Sequence, residues 1–283
     1  MKVSIIMSAY NAEKTIKRAI DSVLKQSYAN IELVIINDCS TDNTENLIKE
    51  YKSNKIKLIN HEVNLGAGCA RDTGVKNCTG DYIKFLDSDD YLSADAISTY
   101  INSALVNNAD IVVGGQIVED SECNITSIQV PPAFLVQTGM DRFTPDKEHC
   151  KRFLNCFLVK KSLFDTIDYS HKRYCEDTPT LFKLVYLSKV VVTIPYAGYH
   201  YTQNSTSLVH TASIIKRKIY KVLAAIDNTL FLRSRGETMN NDLVIANYKE
   251  LKQYKKEELL AFPNEMNEIY SFLKANKNEE TTQ

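Results

Sequence analysis

The sequence predicts an α/β fold in which an open, mostly parallel sheet carries helices on both faces. Three observations lead there. Short β-branched runs alternate with segments of helical periodicity over residues 1–115. The segments between runs are long enough for crossover helices, which parallel strands require. Polar clusters follow the runs directly, at the strand ends where ligands of such sheets bind.

Residues 3–7 (Val-Ser-Ile-Ile-Met) form the first apolar run and read as a buried strand. Ile16, Ala19, Ile20, Val23 and Leu24 then recur at the spacing of one helical face. The alternation continues with strands expected at 31–36, 56–60, 82–86 and 111–113, and helices at 44–51, 67–77 and 94–107. Past residue 115 the pattern loosens, broken by Pro131-Pro132 and a polar stretch at 141–147. An apolar segment at 153–164, a helix at 179–187 and a strand at 190–194 are expected there. From Ile214 the chain is rich in Lys, Glu and Leu and reads as two or three amphipathic helices, with 276–283 a disordered tail.

Composition narrows the function classes. The 34 basic and 35 acidic residues nearly cancel, so no global field favours nucleic acid, and no nucleic-acid partner is expected. The seven cysteines are odd in number and contain no C-x-x-C pair, which argues against a disulfide framework or zinc ribbon and for a reducing cytoplasm. Residues 1–7 are too short an apolar stretch for a secretory signal, and no run approaches the roughly 20 apolar residues that span a bilayer. Any membrane contact is therefore expected to be peripheral. Lys216-Arg217-Lys218 is the segment a membrane surface could hold, although nearby Glu residues favour a solvated helix face.

Asp87-Ser88-Asp89, after the apolar run 82–86, is the most informative motif. Carboxylates two residues apart beyond a strand can address one cleft and bind a hard divalent cation, Mn²⁺ or Mg²⁺, through oxygen. With Asp90 the segment holds three carboxylates in four residues, whose mutual repulsion a cation would relieve. Asp38 ends the second strand and suits either a turn acceptor or a contact to a nucleobase or ribose. Tyr10 suits either core packing or stacking on a planar base. Gly66 and Gly68 open a helix start that favours phosphate, and Arg71 suits a diphosphate or a neighbouring carboxylate equally. Glu176-Asp177, before Thr178-Pro179, reads as a helix cap or as a base that takes a proton from an attacking hydroxyl. His200 and His210 flank a polar stretch and lack partners at metal-binding spacing, so structural roles are favoured for both.

In this order, Val3 to Asn11, Asn37-Asp38-Cys39-Ser40-Thr41-Asp42, Asn64-Leu65-Gly66 with Ala70-Arg71, and Phe85-Leu86-Asp87-Ser88-Asp89-Asp90 resemble glycosyltransferase family 2 of the GT-A fold. The resemblance is close over residues 1–115 and looser from Glu176 through the 199–207 segment. It implies an inverting transferase acting on a nucleotide-diphosphate sugar donor, most often a UDP-sugar, and on a glycan or lipid-linked acceptor of bacterial surface polysaccharide. By position, Ser8, Tyr10 and Asp38 resemble nucleoside contacts, and Arg71 a residue near the base or diphosphate. Asp87 resembles the contact to ribose or metal, Ser88 lies within that binding segment, and Asp89 resembles the metal ligand of the DXD motif. Asp177 resembles the catalytic base, with Glu176 its acidic neighbour. The implied organisation is a nucleotide-sugar half at 1–115, an acceptor and base half at 116–210, and a helical extension at 211–283.

Four positions depart from the family pattern: Asn37, Cys39, Asp72, and Thr202, where an Arg often helps hold the diphosphate. His200 and Gln203 are the nearby replacements for that Arg. Trp is absent, which excludes the Trp-containing motif of processive synthases and favours transfer of a single sugar. A DXD phosphatase is disfavoured, because its motif follows the first strand and wants Thr or Val two residues beyond the second Asp, whereas Asp90-Tyr91 follow Asp89 here. The competing class is a noncatalytic nucleotide-sugar-binding protein with a degenerate transferase site.

Overall fold

The computed structural model describes residues 1–138, 154–167, 177–203, 213–237 and 241–276. Strands β1 (Val3–Ala9), β2 (Ile31–Asn37), β3 (Ile56–Asn60) and β4 (Tyr82–Asp87) alternate with helices α1 (Ile16–Leu24), α2 (Thr44–Lys49) and α3 (Ala67–Asn77). All four strands are parallel, in the order β3-β2-β1-β4. Both faces of this half are covered, which is why its strands are apolar runs rather than alternating ones. Val3, Ile5, Met7, Leu33 and Ile35 join Ile16, Ile20 and Val23 of α1 in the main core. Ile6, Val34, Ile36 and Phe85 are buried as well. There α3 comes so close that a Cβ on Gly74 would lie 2.3 Å from Ile6 Cγ2.

The second half is more mixed. It comprises β5 (Tyr91–Leu92), α4 (Ala96–Val106), β6 (Ile111–Glu119), β7 (Ile125–Gln129), β8 (Leu135–Thr138), β9 (Phe157–Lys160), α5 (Asp177–Leu187) and β10 (Val190–Thr202). β10 runs parallel to β6, and β9 is inserted between β4 and β6, antiparallel to both. β5 and β8 pair antiparallel with β10, and β7 with β6. β6 and β10 run well past the expected 111–113 and 190–194, because their far ends are held by these partners rather than by apolar periodicity.

The chain forms two compact units, one of Met1–Lys172 with Leu184–Asn204, the other of Arg173–Lys183 with Ser205–Gln283. The second unit contains α6 (Ile214–Ser234), α7 (Asp242–Leu251), α8 (Lys256–Leu259) and α9 (Pro263–Ala275), one helix more than the two or three expected. The extra one, α8, is a single turn. Ile219, Leu223 and Ile226 of α6 pack with Val244 and Leu251 of α7 and with Ile269 of α9. Ser213 caps α6 by accepting the Lys216 N–H at 3.1 Å. Lys218 pairs with Glu250, which Lys221 also approaches at 3.9 Å. No described helix is long and apolar enough to cross a membrane.

Candidate active site

Parallel pairing places the ends of β2, β1 and β4 side by side. Ser8 lies opposite Asp87 on one side and Ile36 on the other, and Ala9 lies opposite Asn37. Ser8, Tyr10, Asp38 and the run from Asp87 to Asp90 therefore share one edge of the sheet. Tyr10 projects from it, 50% exposed, which fits a platform and not a core residue.

Asp38 is only 3% exposed and holds the neighbouring loop together. Its Oδ1 accepts the Leu65 N–H at 2.9 Å, and Oδ2 accepts the Gly66 N–H at 2.7 Å. His61 Nδ1 lies 2.7 Å from Oδ1, and His61 Nε2 lies 3.0 Å from Thr73 Oγ1 in α3. Gly66 adopts φ +89°, a conformation glycine takes without a Cβ penalty, just before α3 begins. One carboxylate thus joins β2, the end of β3 and the start of α3. Among the described residues Oδ2 takes this single donor, which leaves it a lone pair for a ligand.

Asp87 is held from two directions. The Arg71 Nη2 of α3 donates to Oδ1 at 2.9 Å, and Asn155 Nδ2 donates to Oδ2 at 2.7 Å. The same Asn155 amide donates to the Tyr199 hydroxyl at 2.8 Å, and that hydroxyl donates to Asp90 Oδ2. Both amide hydrogens are thereby used, and Asn155 Oδ1 is buried without a partner. Asp90 itself is 1% exposed and also accepts the Thr202 N–H at 2.8 Å. Burial, reinforced by the charges of Asp89 and Asp87, pushes its carboxyl well above the usual carboxylate range despite these hydrogen bonds. The third carboxylate expected to join the cation cluster is therefore an internal anchor of the loop.

Beneath the loop lies Lys84, fully buried in β4. Its Nζ donates to the Asn155 carbonyl at 2.5 Å and sits 4.2 Å from the centre of the Tyr100 ring. Burial lowers this amine to about 7.

Asp87 and Asp89 are partly exposed, and Ser88 between them is buried. No group of three or more His, Cys, Asp or Glu side chains suited to a metal exists among the described residues. Two carboxylates without a full protein cage fit Mg²⁺ or Mn²⁺ held by one or two acidic side chains plus substrate phosphates, and do not fit a structural metal. His200 is held within the protein: its Nδ1 lies 2.8 Å from Glu119 Oε1 and its Nε2 2.9 Å from Ser93 Oγ, the structural role expected. At Thr202, where the family pattern has an Arg, a guanidinium arrives from Arg18 of α1 instead, 2.8 Å from Oγ1. Asp177 is the first residue of α5 and belongs to the second unit. Glu176 and His210 lie outside the described residues.

Residues 4–167 match the family model described as glycosyl transferase family 2. The chain belongs to this family. It is 46% identical over 112 residues to the Escherichia coli UDP-Glc:alpha-D-GlcNAc-diphosphoundecaprenol beta-1,3-glucosyltransferase WfgD, an alignment covering 40% of this chain and 44% of that protein. It thus spans less than half the length of that relative. To glycosyltransferase GlyG of Streptococcus pneumoniae it is 27% identical, over 89% of each chain. Among solved structures, Staphylococcus aureus TarS (residues 1–349) in complex with UDP-GlcNAc superposes with a TM-score of 0.66 at 21% identity, covering 80% of this chain and 66% of that one. The family 2 chain thus has the GT-A fold expected from its motifs.

Sequence reasoning missed four residues that hold the site. His61 follows β3 directly, so the rule that drew attention to Asp38 and Asp87 applied to it as well. Asn155 and Tyr199 come from the mixed half and act through side chains that turn inward, and Arg18 looks like any cation on an amphipathic helix. Nothing in the spacing marks those three.

Proposed function

We propose that this family 2 protein is an inverting glycosyltransferase that moves one sugar from a nucleotide-diphosphate donor to a hydroxyl of a glycan or lipid-linked acceptor. The donor is a UDP-sugar, and the product belongs to a bacterial surface polysaccharide. The observation that carries this reading is the meeting of Asp38, Arg71, Asp87 and Asp89 on one edge of the parallel strands. The activity named for WfgD, a UDP-Glc:alpha-D-GlcNAc-diphosphoundecaprenol glucosyltransferase, supports both the donor and the lipid-linked acceptor. UDP-GlcNAc in the TarS complex supports the same donor class.

Tyr10 stacks on the base, Asp38 and Ser8 contact the nucleoside, and Arg71 holds Asp87 in place beside the ribose. Asp89, with Asp87, would hold Mn²⁺ or Mg²⁺, which when bound neutralises charge on the departing diphosphate. Asp177, beside Glu176, takes the proton from the acceptor hydroxyl as its oxygen forms the new bond at the anomeric carbon and the bond to the diphosphate breaks. No covalent intermediate on the protein is required, so the configuration inverts. The acceptor reaches the site at a membrane surface, with the protein working peripherally from the cytoplasmic side.

Release of UDP from UDP-glucose and UDP-GlcNAc, measured with Mn²⁺ and with EDTA, tests the reading. Metal-dependent release is expected. Asp177→Asn is expected to bind UDP as before and to lose transfer by a factor of about 10²–10⁴. Unchanged turnover in that variant would remove Asp177 from the mechanism, and UDP binding without release from any donor would favour a protein that has lost turnover.

A further inference from the structure

Arg18 belongs to none of the sequence motifs, yet its guanidinium reaches the loop that carries Asp89. Its Nη2 donates to the Asp89 carbonyl at 2.5 Å and to Thr202 Oγ1 at 2.8 Å, and Nη1 lies 2.9 Å from Cys123 Sγ. The guanidinium carbon sits 4.8 Å from the centre of the Tyr91 ring. That ring is itself fixed: its hydroxyl donates to Glu119 at 2.7 and 2.9 Å, and its other neighbour is His200, stacked at 4.1 Å with 14° between the planes. Arg18 Nε is buried without a partner. An arginine on an amphipathic helix ordinarily keeps its head in water, and burying an unpaired N–H costs stability. The side chain is thus held at the loop in spite of that cost, which points to a role beyond packing.

The backbone supplies that role. The backbone torsions on either side of the Asp89 Cα set the direction of its Cα–Cβ bond, from which the carboxylate swings, and the Asp89 carbonyl reports one of them. Asp90, the next residue, is pinned by Tyr199 and by the Thr202 N–H, while the Thr202 hydroxyl meets Arg18. Thr202 therefore takes part in both anchors, and Arg18 closes the link between the end of β10 and the loop. The N–H of the Asp89–Asp90 peptide donates to the Asp87 carbonyl at 3.1 Å, and Arg18 grips the carbonyl side of the same peptide.

We propose that Arg18 is a positioning residue: by gripping the Asp89 carbonyl and the Thr202 hydroxyl together, it sets the direction of the Asp89 carboxylate and thereby the affinity for the divalent cation that accompanies a nucleoside diphosphate. The proposal rests on the reading of Asp89 as a cation ligand.

The test is calorimetric titration of UDP at graded Mn²⁺, with thermal unfolding of each variant alongside. Arg18→Met is expected to raise the Mn²⁺ concentration for half-maximal UDP binding about tenfold, the size expected for losing a charged hydrogen bond. Arg18→Lys, which reaches one acceptor instead of two, and Thr202→Val, which removes one acceptor, are each expected to raise it about threefold. A merely structural Arg18 would lower the unfolding temperature and leave the Mn²⁺ midpoint where it was, and that result overturns the proposal. If Arg18→Met does not fold, Arg18→Lys and Thr202→Val decide by the same criterion. Should wild-type UDP binding ignore Mn²⁺ altogether, the cation role of Asp89 falls and this proposal with it. Binding that needs Mn²⁺, is lost in Asp89→Ala and is untouched by the Arg18 variants sinks the Arg18 proposal alone.

Discussion

The strands β1–β4 and the strands β6–β10 belong to one sheet, but they contribute to the site in different ways. The first group is parallel, and the residues proposed to contact the donor follow its strands: Tyr10 after β1, Asp38 after β2, and Ser88 and Asp89 after β4. The second group is mixed in direction and contributes supports, with Asn155 beside β9, Glu119 at the end of β6, and Tyr199 and Thr202 in β10. A parallel sheet fixes where a strand ends, so short motifs suffice to build its edge. Aiming those motifs takes hydrogen bonds from residues distant in sequence.

If that division holds, damage to the first group should abolish binding and damage to the second should weaken it. Asp89→Ala is expected to have the largest effect, removing metal-dependent UDP binding and lowering transfer at least about a thousandfold, since a charge that stabilises the leaving group is lost. A variant still stimulated by Mn²⁺ would break the comparison on its first side. Asn155→Leu should be milder. It leaves Asp87 Oδ2 and the Tyr199 hydroxyl without their shared donor, so UDP affinity in Mn²⁺ should fall about tenfold and stability by about 1–3 kcal/mol. Wild-type affinity in a folded Asn155→Leu protein would mean that the second group does not aim the site.

The smallest effect sharpens the comparison from below. Lys84 is buried between the two groups, facing Tyr100, Tyr199 and Cys156, and burial holds its amine near 7. Because its folded value lies below the unfolded one near 10.5, the unfolded chain binds more protons between those limits. The contribution of Lys84 to folding is therefore most unfavourable below about 7 and improves as pH rises toward 10.5. Urea unfolding of wild type and Lys84→Met at pH 6 and 9 should show the variant's relative stability declining with pH, by up to about 1.4 kcal/mol per pH unit above 7. A constant difference would place the amine in contact with water.

Much of the first group was legible. The apolar runs gave β1 to β4 to within two residues, and the polar clusters after β1, β2 and β4 do lie together. Arg71, left open between a diphosphate and a carboxylate, does pair with the Asp87 carboxylate. By sequence Asp90 counts among three carboxylates whose repulsion a cation would relieve, because a sequence gives no direction for a side chain; the partners Tyr199 and Thr202, over a hundred residues away, turn it inward. The insertion of β9 was hidden for a related reason. A four-residue strand between two non-consecutive neighbours is specified by its partners, not by its own pattern.

The most direct test of the account is calorimetric titration of UDP into the purified protein, once with Mn²⁺ and once with EDTA. Saturable binding in Mn²⁺ that disappears in EDTA is the expected result, with Asp87 and Asp89 as the residues responsible. Equal binding in EDTA, or none in either, would contradict the assignment of this edge of the sheet as a metal-assisted UDP-sugar site.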